Sequence, residues 1–163
     1  YDENRQTVEL DCTPRLKVLK ETIEEADGKV SIFVPLTGVL HMLERELSKN
    51  YTLAVVNGEV AARKRADIFK AFQDDKAPRL LLAHPATMAN GLTLTSASTI
   101  VWYGPITSNE QYVQANGRIE RIGKNKTSVV VHIEATDLER KVFGRLKNKQ
   151  KLQGVLLDIL GEQ

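Results

Sequence analysis

Short apolar runs alternate with amphipathic stretches along the whole chain. Residues 30–34 form a nearly unbroken apolar run, which is typical of a strand buried on both faces of a sheet. Four further segments rich in apolar residues predict strands at residues 51–56, 80–83, 99–103 and 129–133. Strands that alternate with helices at this spacing predict an α/β fold, in which a parallel sheet of five or more strands carries helices on both faces, in three layers.

The stretches between these runs have the apolar spacing of helices that pack on a sheet. The first helix starts at Thr13 and Pro14, as a cap followed by a first-turn proline, and ends at Gly28. The last helix starts at about Thr136, and Gly154 could break it. The other stripes predict buried side chains at Leu40, Leu43 and Leu47 in the second helix and at Ile68, Phe69 and Phe72 in the third.

One predicted helix combines paired arginines with glycines. It starts at Ser108, which has the spacing of a capping box with Gln111, and we expect Gly123 to end it in a left-handed conformation. Arg118 and Arg121 lie one helical turn apart on the same face. The other members of that face are Gln114 and Gly117, and a separate apolar stripe consists of Tyr112, Ala115, Ile119 and Ile122.

The paired arginines indicate an anion-binding surface. Two cations one turn apart repel each other by about a few tenths of a kcal/mol unless an anion compensates them. A guanidinium group keeps its proton and donates paired hydrogen bonds from a planar fork, so phosphate is the anion that it suits best. A solvated basic helix is the alternative, because charged helix faces are common. The spacing alone leaves both interpretations open.

Composition adds few constraints on function. The chain of 163 residues has a net charge of +2, which is too close to neutral to indicate nucleic-acid binding by itself. Cys12 is the only cysteine, so no internal disulfide can form, and we expect a reducing, cytoplasmic location. No apolar run approaches the length of a membrane span. The sequence opens on Tyr1 rather than Met, and we expect it to be a piece of a longer protein.

Written as Q-x-x-G-R-x-x-R-x-G, the arginine stretch resembles the last helicase motif of superfamily-two ATPases, in the form found in Swi/Snf-type DNA translocases. The resemblance extends over residues 15–152 and implies the RecA-like C-terminal lobe of such an enzyme. It implies that Arg118 and Arg121 reach the γ-phosphate of ATP, which a neighbouring N-terminal RecA-like lobe holds together with Mg²⁺. The residues expected to line the ATP site are Gln114, Gly117 and Gly91.

The resemblance also implies contacts with a nucleic-acid backbone along the loops that follow the strands, where ligands of parallel sheets gather. Thr37 lies in a loop similar to the fourth helicase motif, although a plain helix cap would need no ligand. Arg65 matches the family's spacing of glycine, arginine and phenylalanine, although a basic run is often a solvated face. The further candidates in these loops are Asn57, His84 and Thr87.

Residues 79–94 are similar to the fifth helicase motif, and we expect residues 84–91 to form a loop without helical periodicity. Similar loops occur in bacterial and phage members of the group, so we expect such a source. The departures from the motif are His84 and Pro85 in place of a small or hydroxyl pair, Met88 and Ala89 in place of two glycines, and Thr93 where Asn is more common.

Two other interpretations of individual residues are disfavoured. A metal site at His84 lacks support because His41 and His132 lie in different elements without ligand spacing. Trp102 and Tyr103, at the end of the fourth strand, could stack on a base. Packing in the core or between domains is the favoured interpretation for both aromatic side chains.

The motifs that the sequence lacks limit what the chain can do alone. It contains no G-x-x-x-x-G-K-[ST] loop and no Asp-Glu pair after a strand. Phosphoryl transfer needs a phosphate cradle, a metal carboxylate and a charge-stabilising arginine, and the sequence offers only the arginine. We therefore expect the chain to be one lobe of a DNA-dependent ATPase and to be inactive alone. We expect it to act on DNA, which should be duplex, together with an N-terminal lobe of the same polypeptide.

We divide the chain into a polar segment (1–12), the lobe (13–135) and a C-terminal helix packing on it (136–163).

Three alternatives remain at this stage. The same lobe occurs in RNA helicases and in strand-separating DNA helicases. A non-enzymatic nucleic-acid module could keep the fold without ATP chemistry, but it would have no need for the glutamine, glycine and both arginines together. A small-ligand domain with a doubly wound sheet is disfavoured because no G-x-G-x-x-G turn follows the first strand.

Overall fold

The computed structural model describes residues 11–74, 76–89, 94–119 and 128–161, with side chains up to residue 151 in the last helix. The helices are α1 (Thr13–Glu25), α2 (Thr37–Leu47), α3 (Ala62–Asp74), α4 (Asn109–Gly117) and α5 (Asp137–Gly161). The strands are β1 (Lys29–Phe33), β2 (Leu53–Val56), β3 (Leu80–Ala83), β4 (Ala97–Trp102) and β5 (Val129–His132). A short 3₁₀ helix, Pro85–Ala89, follows β3.

The five strands form one parallel sheet in the order β2-β3-β1-β4-β5. In its register, Val30 of β1 lies between Leu80 of β3 and Thr99 of β4. Because all strands run the same way, their carboxyl ends share one side of the sheet, which we call the strand-end edge. It consists of the loops at residues 34–36, 57–61, 84–89, 103–108 and 133–136. The predicted parallel sheet is confirmed.

Each face of the sheet has its own hydrophobic core, so the molecule has the three predicted layers. On one face, α1 and α2 bury Leu19, Ile23, Leu40, Leu43 and Leu47 completely. On the other face, α3, α4 and α5 bury Phe69, Phe72, Tyr112, Ala115, Phe143 and Leu146. The stripes predicted for α2 and α3 are thus confirmed, although Ile68 is only partly buried. Strand runs that are apolar throughout fit between two such cores.

The segment after β3 differs from the predicted loop, because Pro85–Ala89 form the 3₁₀ helix. The backbone N–H of Thr87 donates to the carbonyl oxygen of His84 at 2.9 Å, and the Thr87 hydroxyl donates to the same oxygen at 2.7 Å. These bonds close a tight turn with three residues per turn. A turn this short has no 3.6-residue period, so apolar spacing could not reveal it.

The helix α4 is shorter than predicted, because it ends at Gly117 and not at Gly123. The carbonyl oxygen of Arg118, one residue after the end of the helix, accepts a hydrogen bond from the N–H of Leu94 at 2.8 Å. Glycine at position 117 also disfavours continuation by about 1 kcal/mol relative to alanine. Gly123 itself lies outside the described residues.

The predicted capping box of α4 has its N-cap bond, and the structure adds a second capping box at the start of α5. The Ser108 hydroxyl accepts from the N–H of Gln111 at 3.3 Å, at the start of α4. At the start of α5, the Thr136 hydroxyl accepts from the N–H of Glu139 at 3.2 Å, and the Glu139 carboxylate accepts in return from the N–H of Thr136 at 3.2 Å. The cap of α1 is Cys12, one residue before the predicted Thr13.

The last helix belongs to the same core as the lobe. α5 continues through Gly154, so the possible break there is not found. Arg15 of α1 donates to both carboxylate oxygens of Glu139 at 2.6 Å, which links the first helix to the start of the last one. None of the described helices, including α5 with its 25 residues, combines the length and apolar content needed to cross a bilayer. The division into segments at residues 12 and 135 stays a prediction.

Candidate functional site at the strand-end edge

Arg118 is fixed to the segment that follows β3. Its Nε donates to the carbonyl oxygen of Met88 at 3.1 Å, and its own carbonyl oxygen accepts from the N–H of Leu94. The side chain is half-buried beside the 3₁₀ helix. Backbone and guanidinium are therefore both held at the strand-end edge, where sheets of this type bind their ligands.

An aromatic ladder beneath α4 fixes the position of that helix. Successive ring centroids lie 4.8, 5.0, 5.9 and 4.4 Å apart. Such spacings are typical of favourable aromatic pairs in protein cores. In order, the members are Phe33, Trp102, Tyr112, His132 and Phe143. The favoured interpretation of Trp102 as a core residue is confirmed, since its side chain is completely buried.

Two polar residues in and below α4 were missed by the sequence analysis. The buried side chain of Asn116 accepts a hydrogen bond from Nε1 of Trp102 at 2.9 Å. Nε2 of His132 shares a hydrogen bond of 2.9 Å with the Tyr112 hydroxyl. Burial, with a smaller contribution from the charge of Lys147, lowers the pKa of His132 to about 4. The ladder is therefore uncharged at neutral pH, as its apolar surroundings require.

The residues predicted to share a face with Arg118 have different environments. Gln114 is half-buried and donates from Nε2 to a carboxylate oxygen of Glu110 at 3.0 Å, one turn earlier. Gly117 is exposed, and a Cβ atom at this position would meet no atom of the described residues within 4 Å. The surface beside Arg118 is therefore open. Arg121 and Gly91 lie outside the described residues, so their predicted roles stay predictions.

His84 links two loops of the strand-end edge. Its Nδ1 accepts a hydrogen bond from the N–H of Ala86 at 3.3 Å, and its Nε2 lies 3.0 Å from the carbonyl oxygen of Pro35. With Nδ1 as acceptor, Nε2 carries the proton and donates to Pro35. Thr87 is buried, and its hydroxyl is bound to the His84 carbonyl. Both predicted contact residues thus serve the internal structure of the edge.

Asn57 also has internal partners. Its side chain is buried, Oδ1 accepts from the N–H of Glu59 at 3.0 Å, and Nδ2 donates to the Glu59 carboxylate at 3.2 Å. This is the arrangement of an Asx turn, which shapes the loop after β2. The same carboxylate lies 3.7 Å from Nε2 of His41 on α2. Asn57 therefore fixes the loop that leads to α3.

Thr37 and Arg65 are the predicted contact residues whose side chains a ligand could reach. Thr37 is exposed and is the first residue of α2, after the N-cap Leu36, and no side chain caps this helix. Arg65 is half-buried on α3, and within the described residues its side chain has no hydrogen-bond or ion-pair partner. The five predicted contacts therefore divide into two outward side chains and three that shape the loops.

The described residues fit a phosphate group better than a metal ion. Arg118 supplies a half-buried cation at the strand-end edge, and the open surface at Gly117 leaves space next to it. Within the described part of the chain, no three His, Cys, Asp or Glu side chains lie close enough together to hold a metal ion. A nucleotide's phosphates could therefore be held here, whereas its Mg²⁺ would need ligands from elsewhere.

Sequence comparisons identify relatives among chromatin-remodelling and helicase ATPases. The model of the helicase conserved C-terminal domain matches residues 14–123. The chain is 25% identical over 147 residues to the chromatin-remodeling ATPase INO80 of Candida albicans, covering 88% of this chain and 10% of that protein. It is 30% identical over 168 residues to the TATA-binding protein-associated factor BTAF1 of Arabidopsis thaliana, covering 90% and 8%. The chain thus spans about a tenth of the length of these relatives.

Solved structures share the fold. The C-terminal part of the Fun30 ATPase domain superposes with a TM-score of 0.73 at 23% identity, over 80% of this chain and 44% of that one. The C-terminal domain of the DEAD-box protein Dbp5 gives a TM-score of 0.71 at 17% identity, over 84% and 78%. The predicted RecA-like fold is confirmed. The chain belongs to the helicase conserved C-terminal domain family, and the relatives that it matches are Swi/Snf-type ATPases.

Proposed function

We propose that this chain is the second lobe of an ATP-dependent DNA translocase, in which Arg118 acts on ATP bound at the interface with an N-terminal RecA-like lobe of the same polypeptide. The observation that supports this most directly is the anchoring of Arg118. Its hydrogen bonds to Met88 and Leu94 hold it at the strand-end edge, next to an open surface at Gly117.

The chemistry of this position suits an arginine finger. A guanidinium that is already anchored loses little side-chain freedom when it binds a phosphate, and its charge is permanent. ATP with Mg²⁺ would supply the phosphoryl group whose transfer to water drives the cycle. Arg118 would stabilise the negative charge that develops on that group. On sequence grounds we assign Arg121 the same role, and we place Gln114, Gly117 and Gly91 along the nucleotide.

The loops of the strand-end edge would contact the DNA backbone. Thr37 and Arg65 offer a hydroxyl and a guanidinium to phosphates, which fix position without reading sequence. Asn57, His84 and Thr87 would act close to the same phosphates, mainly by holding the loops in shape. Because His84 links the loops after β1 and β3, both loops would move as one body with Arg118 when the two lobes close.

The complete protein with Arg118→Ala tests the proposal. We expect kcat for DNA-stimulated ATP hydrolysis to fall by about a thousandfold or more, because the charge on the transferring group loses its partner. The dissociation constant for ATP should change much less, since the N-terminal lobe holds most of the nucleotide. The matched control is Arg45→Ala, which removes a largely exposed arginine of α2 whose ion-pair partner among the described residues is Glu46. Unchanged kcat in the Arg118 variant, or loss of ATP binding alone, would contradict the role.

The choice of nucleic acid separates the proposal from its alternatives. Turnover stimulated by duplex DNA supports a translocase, whereas stimulation only by single strands or by RNA supports a strand-separating or RNA helicase. A complete protein that binds DNA but shows no ATP hydrolysis would instead be a non-enzymatic module on the same fold. The relatives' names include chromatin-remodeling ATPases and helicases, which favours an ATP-driven enzyme.

A further inference from the structure

The first half of α5 is rich in cations. Residues 140–151 contain six Lys and Arg residues and no Asp or Glu. Removing these six cations from the net charge of +2 leaves −4 for the remainder of the chain. The chain is thus nearly neutral only because one segment of twelve residues is strongly basic.

Three of these cations form a single stripe. Lys141, Arg145 and Lys149 are spaced four residues apart, so they follow one side of the helix. All three side chains are exposed, and they surround a shallow depression together with Gly144 and Asn148. We call these five residues the basic stripe. It lies opposite Phe143 and Leu146, the side chains by which α5 packs on the core.

Several other exposed cations in the described residues have local carboxylate partners, which the basic stripe lacks. Lys17 lies 3.9 Å from Glu21, and Lys49 lies 2.7 Å from Glu46. By contrast, no hydrogen bond or ion pair engages the charged groups of the stripe within the described residues. Cations at i, i+4 and i+8 repel one another, and the helix dipole favours cations only in the last turn, which begins well after residue 149. An external anion would remove this repulsion.

We propose that the basic stripe is a second nucleic-acid contact surface, separate from the strand-end edge, which binds successive phosphates of one DNA strand. The helix rises about 6 Å over four residues. Successive phosphates of one strand of B-form DNA advance about 3.4 Å along the duplex axis and also rotate around it, so they lie about 6–7 Å apart in space. Long Lys and Arg side chains can bridge the difference of about 1 Å. Gly144 leaves room for close approach, since a Cβ atom there would meet no atom within 4 Å in the part of the chain that the structure describes.

The composition of the stripe favours nucleic acid over other anionic partners. Protein interfaces depend on a core of buried apolar or aromatic anchors, and the stripe contains none. Helices that bind membranes likewise insert apolar side chains into the lipid. In the described part of α5, the apolar side chains Phe143 and Leu146 are buried against the lobe and are not available for insertion. A surface of cations, one amide and one glycine has the chemistry of a phosphate-backbone contact.

The position of α5 suggests a continuous path for DNA. The helix starts directly after β5 and therefore at the strand-end edge. From the helical rise, the stripe begins about 6 Å and ends about 18 Å along α5. DNA that leaves the strand-end edge could thus continue along the stripe. This inference rests on the proposed function for the identity of the polyanion but does not depend on ATP chemistry.

The test measures DNA binding without nucleotide, as a function of salt. The complete protein is titrated against a fluorescein-labelled 30-bp duplex between 50 and 200 mM KCl, with fluorescence anisotropy as the signal. The test variant is Lys141→Gln/Arg145→Gln/Lys149→Gln. The matched control is Lys17→Gln/Lys49→Gln/Lys76→Gln, which changes the net charge equally at exposed positions elsewhere. Melting curves of both variants check that the fold is intact.

Loss of three phosphate contacts should reduce the slope of log K against log salt by about 2.7 and weaken binding by about tenfold or more at 100 mM KCl. The control should keep the slope of the unchanged protein, and a charge-preserving variant, Lys141→Arg/Arg145→Lys/Lys149→Arg, should keep both slope and affinity. Equal slopes for the test and control variants would overturn the proposal. So would a test variant that loses binding to a glutamate polymer or to anionic vesicles but keeps its binding to DNA. The Arg118 experiment is unaffected by either outcome, so the two proposals can fail independently.

Discussion

At the scale of single residues, side chains that the sequence predicts as ligand contacts can instead stabilise the loops in which they lie. His84 and Asn57 were identified by their place after strands, and that placement is correct. Their hydrogen-bond partners within the lobe show that both side chains hold loops in shape. His84 binds Pro35, which lies 49 positions away, and no local pattern contains that information. The sequence therefore predicts which residues follow the strands but does not separate outward side chains from structural ones.

The titration of His132 is a residue-scale prediction. Its pKa is lowered to about 4 by burial, whereas an unfolded chain would hold it near its ordinary value of 6.5. Between these values the unfolded state binds more protons than the folded state, so the free energy of unfolding should fall as pH falls from about 6.5 to 4. Urea denaturation followed by the fluorescence of Trp102, the only tryptophan, measures this dependence.

A variant separates His132 from the other titrating groups. His132→Gln keeps a hydrogen-bonding partner for the Tyr112 hydroxyl but cannot titrate, so stability should depend less on pH in this window. His41→Gln is the control, because His41 is half exposed and lies on α2, away from the ladder. An identical pH dependence in the His132 variant and the unchanged protein would show that the folded state does not exclude the imidazolium.

At the scale of elements, helix starts were easier to predict than helix ends. Ser108 and Thr136 begin capping boxes that lie within four residues, so the sequence shows them directly. The end of α4 depends on a bond between Leu94 and Arg118, which are distant in sequence. The end of α4 and the segment before β4 are therefore joined by a backbone contact that periodicity cannot reveal.

The start of α5 carries a stability prediction. Glu139 closes the capping box and also binds Arg15, and both side chains are 20% exposed. Although burial opposes the shift, the hydrogen bonds from Arg15 and from the N–H of Ala135 lower the pKa of Glu139. Glu139→Gln should therefore lower the free energy of unfolding by about 1–3 kcal/mol, because it removes the charge partner of a mostly buried arginine and weakens the cap. Urea denaturation at pH 7 measures the change.

The matched control for Glu139 is its neighbour on the same turn. Asp137→Asn removes a carboxylate that is 84% exposed and pairs with Arg140 at the surface, so we expect the free energy of unfolding to change by less than about 0.5 kcal/mol.

The pH dependence of stability gives a second check on Glu139. A carboxylate with a lowered pKa stabilises the fold above its unfolded pKa, and this contribution is lost as pH falls through the lowered value. A destabilisation by Asp137→Asn equal to that of Glu139→Gln would show that general helix-start charge, and not the link to Arg15, is the cause.

At the scale of the whole molecule, the layers and the parallel sheet followed from alternating apolar runs, because each run reports its own burial. The basic stripe on α5 was not predicted from the sequence. Its cations can be assigned to the outward face only when the side chains that pack on the core are known. Function at this scale depends on what the lobe lacks. It has an anchored arginine at the strand-end edge, but its sequence has no phosphate loop.

The chain alone is therefore expected to hydrolyse ATP no faster than the solution background, with or without duplex DNA. An arginine can stabilise charge on a transferring phosphoryl group only after other groups have positioned that group, its metal ion and the attacking water. The complete protein, assayed in parallel, should turn over at least about a thousand times faster, and Arg118→Ala should remove that gain. DNA-stimulated hydrolysis by the chain alone that Arg118→Ala abolishes would mean that this lobe completes a site by itself, for instance by pairing with a second copy. The division of labour between two different lobes would then be wrong, although Arg118 would keep its role.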